Sequence, residues 1–154
     1  MEIKLQKANM KDCKLIHEMQ VESFHAILEK YKDYDTNPAA ELLEHIEHRM
    51  AQDFTCYYFI CCDGAKIGAI RLVKWSEDRF RISPMFILPK YQGYGYAQLA
   101  ISELENLYPE ARHWELDTIK QETKLCYLYE KMGYKASGKE VDIKAGMTIV
   151  HYTK

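Results

Sequence analysis

The feature that most narrows the possible folds of this chain is the segment Met85-Phe-Ile-Leu-Pro-Lys-Tyr-Gln-Gly-Tyr-Gly-Tyr-Ala97. It reads as a strand, a proline corner, a glycine-rich turn and the start of a helix. Gly93 and Gly95 remove side chains where the backbone must turn tightly. The first turn of the helix leaves its amide groups without partners inside the helix. With the helix dipole behind them, these amides make an anion site of the kind that accepts a pyrophosphate. Three phosphate-binding patterns compete for this segment. A Walker A loop needs Gly-Lys-Ser/Thr, and none occurs. A dinucleotide fingerprint needs a third glycine where Gln98 stands, and it normally opens an early βαβ unit, whereas this turn comes late in the chain. An acyl-CoA turn, Gln/Arg-x-x-Gly-x-Gly/Ala, is matched by Gln92-Gly-Tyr-Gly95-Tyr-Ala97 at every specified position.

The surrounding pattern says what holds this turn. Residues 2–7 alternate and predict a strand. Asn9, with Asp12 following, reads as a helix cap, and Leu15, Ile16, Met19, Phe24, Ile27, Leu28 and Tyr31 continue at helical spacing. Turn formers between Lys32 and Pro38 stop that helix. Pro38 can begin a second one, with Leu42, Leu43, Ile46 and Met50 as its apolar stripe. Phe54–Cys62 and Ile67–Trp75 are dense in aromatic and β-branched residues and flank Asp63-Gly64, a hairpin signal. Arg79–Leu88 predicts another strand, in which Pro84 removes a ladder donor and suggests a bulge. From Gly93 the spacing of Ala97, Ala100, Ile101, Leu104 and Leu107 is helical. His113–Thr118 reads as a strand, Thr123–Met132 as a helix ending at Gly133, and Tyr134–Ile143 and Met147–Thr153 as closing strands. The order β-α-α-β-β-β-α-β-α-β-β predicts an α/β (α+β) fold, one domain over residues 1–154 whose mixed, mostly antiparallel sheet is flanked by helices.

Charge and cysteine usage exclude several classes. A net charge of −2 supplies no field to draw nucleic acid or an anionic membrane. No apolar run approaches the roughly 20 residues of a membrane span, and the first residues lack the apolar stretch of a signal peptide, so a cytoplasmic protein is expected. The cysteines, at positions 13, 56, 61, 62 and 126, are odd in number and form no C-x-x-C pair. Adjacent Cys61 and Cys62 would point to opposite faces of a strand, so reduced thiols packed as small hydrophobes are expected. His45 and His48 could share a helix face, but no further ligand lies near them in sequence, and no metal site is expected.

At this point the chain resembles the GNAT family of N-acetyltransferases, over nearly its whole length. Arg79–Leu88 and the helix from Gly93 resemble its cofactor motif, and Leu128-Tyr-Glu-Lys-Met-Gly-Tyr134 resembles its second signature, Leu-Tyr-Glu-Lys-x-Gly-Phe/Tyr. The resemblance implies acetyl-CoA as acyl donor and a small-molecule or peptide amine as acceptor, with no nucleic acid, membrane or metal partner and with a homodimer as one assembly open to it. It implies that the backbone of Met85, Phe86 and Ile87 pairs with the pantetheine arm. It also implies that Gln92, Gly93, Tyr94, Gly95, Tyr96 and Ala97 hold the pyrophosphate and that Tyr129 serves as general acid. Where the family often has an asparagine after its fifth strand, this chain has Glu122 beside Gln121. A carboxylate near a bound anion is unfavourable unless it points away.

An alkyl amine is mostly protonated at neutral pH, so something must take its proton before it attacks the thioester. Asp117, on the strand after the cofactor helix, falls where some relatives carry a catalytic glutamate. A structural strand carboxylate is the competing reading, and deprotonation through water is another. Glu22 and His25 on the first helix could line the acceptor side, as could Tyr31 and Tyr34 in or beside the loop that follows; each could equally be surface or packing. A catalytically silent CoA-binding module is the alternative to an enzyme.

Overall fold

The computed structural model describes residues 2–154. Seven strands form one sheet in the order β1-β2-β3-β4-β5-β7-β6. They are β1 (Ile3–Lys7), β2 (Thr55–Cys62), β3 (Ala65–Lys74), β4 (Arg79–Ile87), β5 (His113–Ile119), β6 (Lys135–Lys144) and β7 (Met147–Thr153). Four α-helices join them: α1 (Cys13–Tyr31), α2 (Leu43–Met50), α3 (Tyr96–Leu107) and α4 (Thr123–Lys131). This is the expected element order, with short 3₁₀ turns added at Met10–Asp12, Pro38–Ala40 and Pro89–Tyr91. Every neighbouring pair of strands is antiparallel except β4 and β5.

The alternation of β2 shows how the layers form. Tyr57 and Phe59 point to one face, where they pack with Ile16 and Met19 of α1 and Ile46 of α2. Tyr58 and Ile60 point to the other and join Ala100, Ile101 and Leu104 of α3. With both faces covered, the strand is apolar almost throughout, and hence reads as one dense run rather than an alternating one. The β6 edge contrasts with it: nearly all of its residues are exposed.

Local chemistry sets the element ends. The Asn9 side chain accepts from the Lys11 backbone while Asp12 accepts from the Asn9 backbone, so the cap encloses the 3₁₀ turn that leads into α1. Lys32, with φ 57°, ends α1 in the left-handed region. Pro38 opens only a 3₁₀ turn. The chain extends again at Glu41 and Leu42, and α2 starts at Leu43. Leu42 is therefore exposed rather than part of the stripe. The His45 ring accepts from the Leu42 backbone at 3.0 Å, and so serves as a helix cap. Asp63 and Gly64 both take positive φ, as the tight hairpin between β2 and β3 requires.

All five cysteines are free thiols. After denaturation without reductant, a thiol reagent should therefore label all five; a smaller number would reveal a disulfide.

Candidate active site

The site begins where the sheet parts. β4 and β5 are paired only through Arg79–His113, Phe80–Trp114 and Arg81–Glu115. Beyond Arg81, β4 stays with β3, through Ile70–Met85, Ala69–Phe86 and Gly68–Ile87. Beyond Glu115, β5 stays with β7, down to Ile119–Ile149. The two strands thus form a fork that opens toward their C-terminal ends. Strand groups that face the opening lack the partners a continuous ladder would give them.

Pro84 lies just past this divergence, where β4 is irregular against β3, as the sequence suggested. Ile82 pairs with Leu72 and Met85 with Ile70, so Ser83 and Pro84 together oppose the single residue Arg71. That is a bulge, and it bends the β4 arm. Arg71 holds it: its guanidinium donates to the Ser83 carbonyl at 2.8 Å and to the Thr55 hydroxyl at 2.9 Å. Phe86 is buried and meets Phe24 of α1 edge-on at 5.9 Å. Met85 and Ile87 pack on the opposite side, toward α3.

The glycine-rich turn lies at the tip of the β4 arm. The Gln92 side chain donates to the Ile87 carbonyl at 2.8 Å and fixes the corner. Gly93 and Gly95 have φ of 85° and 82°, which an L side chain resists. A Cβ at either would meet no protein atom within 4 Å, so the space beside them is open. Gly95 caps α3. The backbone N–H groups of Gly93, Tyr94, Ala97 and Gln98 find no acceptor among the described residues. Tyr94 is exposed and stacks on Tyr96 at 5.8 Å. The turn thus presents unpaired amides to open space, with Gln92–Ala97 beside one mouth of the fork.

Tyr129, on α4, is 8% exposed. Its ring meets those of Tyr134 and Tyr152 at 6.3 and 6.4 Å. Its hydroxyl makes no hydrogen bond among the described residues. Burial, with the Cys126 thiol nearby, pushes its pKa up to about 12. The hydroxyl is not one of the buried unpartnered side-chain atoms, so it is open to water or to a bound molecule.

The far mouth of the fork is tied across. Glu122, just before α4, accepts from the Tyr31 hydroxyl at 2.5 Å and from Lys30 at 2.6 Å. Burial opposes its charge, but these two donors outweigh burial and hold the carboxyl below the usual range. Glu122 thus stays ionised, its charge offset by Lys30 of α1. Of the residues expected on the acceptor side, Tyr31 joins this tie. Tyr34 is 62% exposed beyond it, and Glu22 and His25 are exposed on α1.

A charged surface occupies the closed end of the fork. Phe80, Ile82, Trp114 and Leu116 bury toward α3, so the alternate residues Arg79, Arg81, Glu115 and Asp117 share the other face. Arg81 donates to Asp117 at 2.7 Å. Glu115 accepts from the Trp75 indole at 2.8 Å and contacts the His151 ring at 3.1 Å. The other nitrogen of His151 meets the Ser137 hydroxyl at 2.7 Å. Burial works against the Glu115 charge, yet Trp75, His151 and Arg81 together hold its carboxyl below the usual range.

The family model for the acetyltransferase (GNAT) family matches residues 15–134. The chain belongs to the GNAT family. Among solved structures, a spermidine N-acetyltransferase from Vibrio cholerae, in complex with CoA and spermine, is 16% identical, with TM-score 0.76, over 99% of this chain and 94% of that one. A Salmonella typhimurium acetyltransferase that modifies the N-terminal serine of ribosomal protein L7/L12 is 13% identical, with TM-score 0.76, over 99% and 94%. A Thermoplasma acidophilum N-acetyltransferase in complex with coenzyme A is 18% identical, with TM-score 0.68, over 98% of each chain. No curated protein matches this chain by sequence. At these identities the structures show the GNAT fold.

The GNAT motifs led to the loop and to Tyr129, but not to Arg79, Arg81, Glu115 and His151. A signal for the first three was present. Arg-Phe-Arg-Ile and Trp-Glu-Leu-Asp alternate charged and apolar residues, so each strand had to carry its charges on one face. That the two strands are neighbours was not readable from either alone.

Proposed function

We propose that this GNAT protein is an acetyl-CoA-dependent N-acetyltransferase that acts on a primary amine. The observation that carries the reading is the coincidence of the open fork, the unpaired amides of the glycine turn at its mouth, and the unpartnered Tyr129 hydroxyl. In this reading the Gln92–Ala97 turn holds the pyrophosphate, through the unpaired amides of Gly93, Tyr94 and Ala97. Backbone groups of Met85, Phe86 and Ile87 pair with the amide-rich pantetheine arm as an added strand would. The neutral amine attacks the thioester carbonyl, forming the amide bond as the carbon–sulfur bond breaks. Tyr129 gives its proton to the departing sulfur. Asp117, at the fork, takes the proton of the amine once Arg81 releases it. Tyr31, Tyr34, Glu22 and His25 border the side from which the acceptor enters. The CoA complexes of the Vibrio cholerae and Thermoplasma acidophilum proteins support the choice of donor.

An amine panel scored by release of free CoA thiol tests the reading. Turnover with any member supports it. Saturable acetyl-CoA binding with no turnover across the panel would favour a silent CoA-binding module.

The cradle has its own test. Gly95→Ala adds a methyl in open space, where only a ligand can meet it, on a backbone at φ 82°. The left-handed strain costs roughly 1–2 kcal/mol of stability. Gly138→Ala on β6, at φ 95° and also with no atom within 4 Å, carries the same strain away from the loop. By calorimetry, Gly95→Ala should weaken acetyl-CoA binding by about tenfold to a hundredfold, the loss of a charge-assisted hydrogen bond. Gly138→Ala should leave it unchanged. Equal affinity in both variants would remove the loop from the site.

A further inference from the structure

The charged surface at the closed end of the fork forms a concavity of about 470 Å³. Its floor is the face of β4, β5 and β7 that α1 and α2 leave uncovered. Its two carboxylates are already engaged. Asp117 is held by Arg81 at 2.7 Å, and Glu115 by Trp75 and His151, with both arginines farther off at 3.8 and 3.9 Å. Its cations are less well matched. The Arg79 side chain is 60% exposed and, among the described residues, has only that 3.8 Å ion pair. Lys139, on the β6 side of the rim, makes no ion pair among the described residues. Arg79, Arg81 and Lys139 thus stand against two carboxylates, and each guanidinium carries more donors than its present contacts use.

This balance bears on what can bind. A polyamine needs free carboxylates, and here it would have to displace guanidinium groups to reach them. An anion meets donors that are still open, in the planar fork that suits a carboxylate. Trp75, 56% exposed, adds a flat apolar wall beside them.

Taking as given that the protein acetylates an amine at the fork, we propose that this concavity selects an acceptor that bears a carboxylate close to its amine. The carboxylate lies on Arg79 and Arg81, which both approach Glu115, with Lys139 adding positive charge at the rim, and the amine end lies against Asp117 at the parting of β4 and β5. By drawing on Arg81 the anion also loosens the Arg81–Asp117 pair, so the base is freed when the right acceptor arrives. The preference is the opposite of that expected for a polyamine enzyme.

The test uses the full chain with acetyl-CoA and matched acceptors: amino acids and short acidic peptides, each beside its carboxamide counterpart, together with spermidine. The expected result is a kcat/KM for the carboxylate member at least tenfold above that of its amide, the scale of one charge-assisted hydrogen bond. Arg79→Gln, an exposed change that should not disturb folding, should remove most of that ratio. Free amino acids outperforming peptides would assign a small-molecule acceptor, and the reverse a peptide terminus; both support the proposal. Equal rates for acid and amide, or a preference for spermidine, would overturn it. If no amine turns over, the acetyltransfer reading fails first, and direct binding still decides this inference. Glutarate titrated against the fluorescence of Trp75, with Trp75→Phe as control, should saturate in the wild type and not in Arg79→Gln. Absence of a saturable response would overturn the anion site.

Discussion

Replacing Tyr129 by phenylalanine should leave the protein folded, leave acetyl-CoA affinity within about twofold, and slow the chemical step by about 100-fold to 10,000-fold, the usual cost of losing a positioned proton donor. The first part follows from the ring. Its ring contacts with Tyr134 and Tyr152 survive in phenylalanine, and no hydrogen bond to the described residues is lost with the hydroxyl. Only Gln20 Oε1 and Ser23 Oγ are buried polar side-chain atoms without a partner among the described residues, so losing the solvent-reachable Tyr129 hydroxyl should leave the melting temperature about unchanged. The second part follows from protonation. A free phenol is half ionised near pH 10, but burial pushes Tyr129 up to about 12. The raised value keeps the hydroxyl in its donor form across the whole neutral and mildly alkaline range. The wild-type rate should therefore show no alkaline loss from this group below about pH 11, one unit under its pKa. Single-turnover kinetics with a reactive amine make the measurement, because slow product release would hide a chemical defect in steady-state rates. An unchanged chemical step in the phenylalanine variant would make Tyr129 a core residue and nothing more.

The sequence carried the site unevenly, for physical reasons that can be named. Gly93, Gly95 and Pro84 were legible because each restricts its own backbone, and local restriction survives without knowledge of the fold. Phe54–Cys62 announced a strand through its density of aromatic and β-branched residues, and the cover on both faces explains that density. The second helix was misplaced by several residues: Pro38 is a sound helix starter, yet the chain extends at Glu41, which is held by Arg49 and Gln20 across the gap. That tie involves residues eight and twenty-one positions away, beyond the reach of a local signal. The same holds for Glu122. In sequence it is a carboxylate beside an expected anion site; in the fold it is turned to Lys30 and Tyr31, more than ninety residues earlier. The Arg81–Asp117 pair lies across strands separated by a whole helix. Residues that act through their own backbone were readable, and residues that act through a distant partner were not.

Gly68→Ala should be the most damaging glycine-to-alanine change among the described residues of this chain. Gly68 is buried on β3, where the register against β2 slips: Ile60 pairs with Gly68 and Cys61 with Lys66, leaving Ile67 unmatched. Glycine within a strand often marks such a bulge or a close backbone approach, and here it marks both. A Cβ at this position would stand 2.1 Å from the Phe86 carbonyl oxygen and 3.1 Å from the Ile87 Cα. Those are backbone atoms of the β4 arm, so no side chain can rotate away to make room, and β3 and β4 must separate. Overpacking costs typically about 1–3 kcal/mol. A clash with the backbone of a buried neighbouring strand belongs at or above the top of that range. In urea the midpoint should fall sharply while the slope of the transition holds, the signature of lost stability without a change in the surface exposed. Because alanine and valine share the offending Cβ, most of the loss should already appear in the alanine variant, with a smaller step to valine. The same displacement reaches Phe86 and Ile87, so the variant should also bind acetyl-CoA more weakly at temperatures where it remains folded, in contrast to Tyr129→Phe. Wild-type stability in Gly68→Ala would mean that β3 and β4 are not held this close, and with it would fall the account of how the β4 arm is fixed beside the fork.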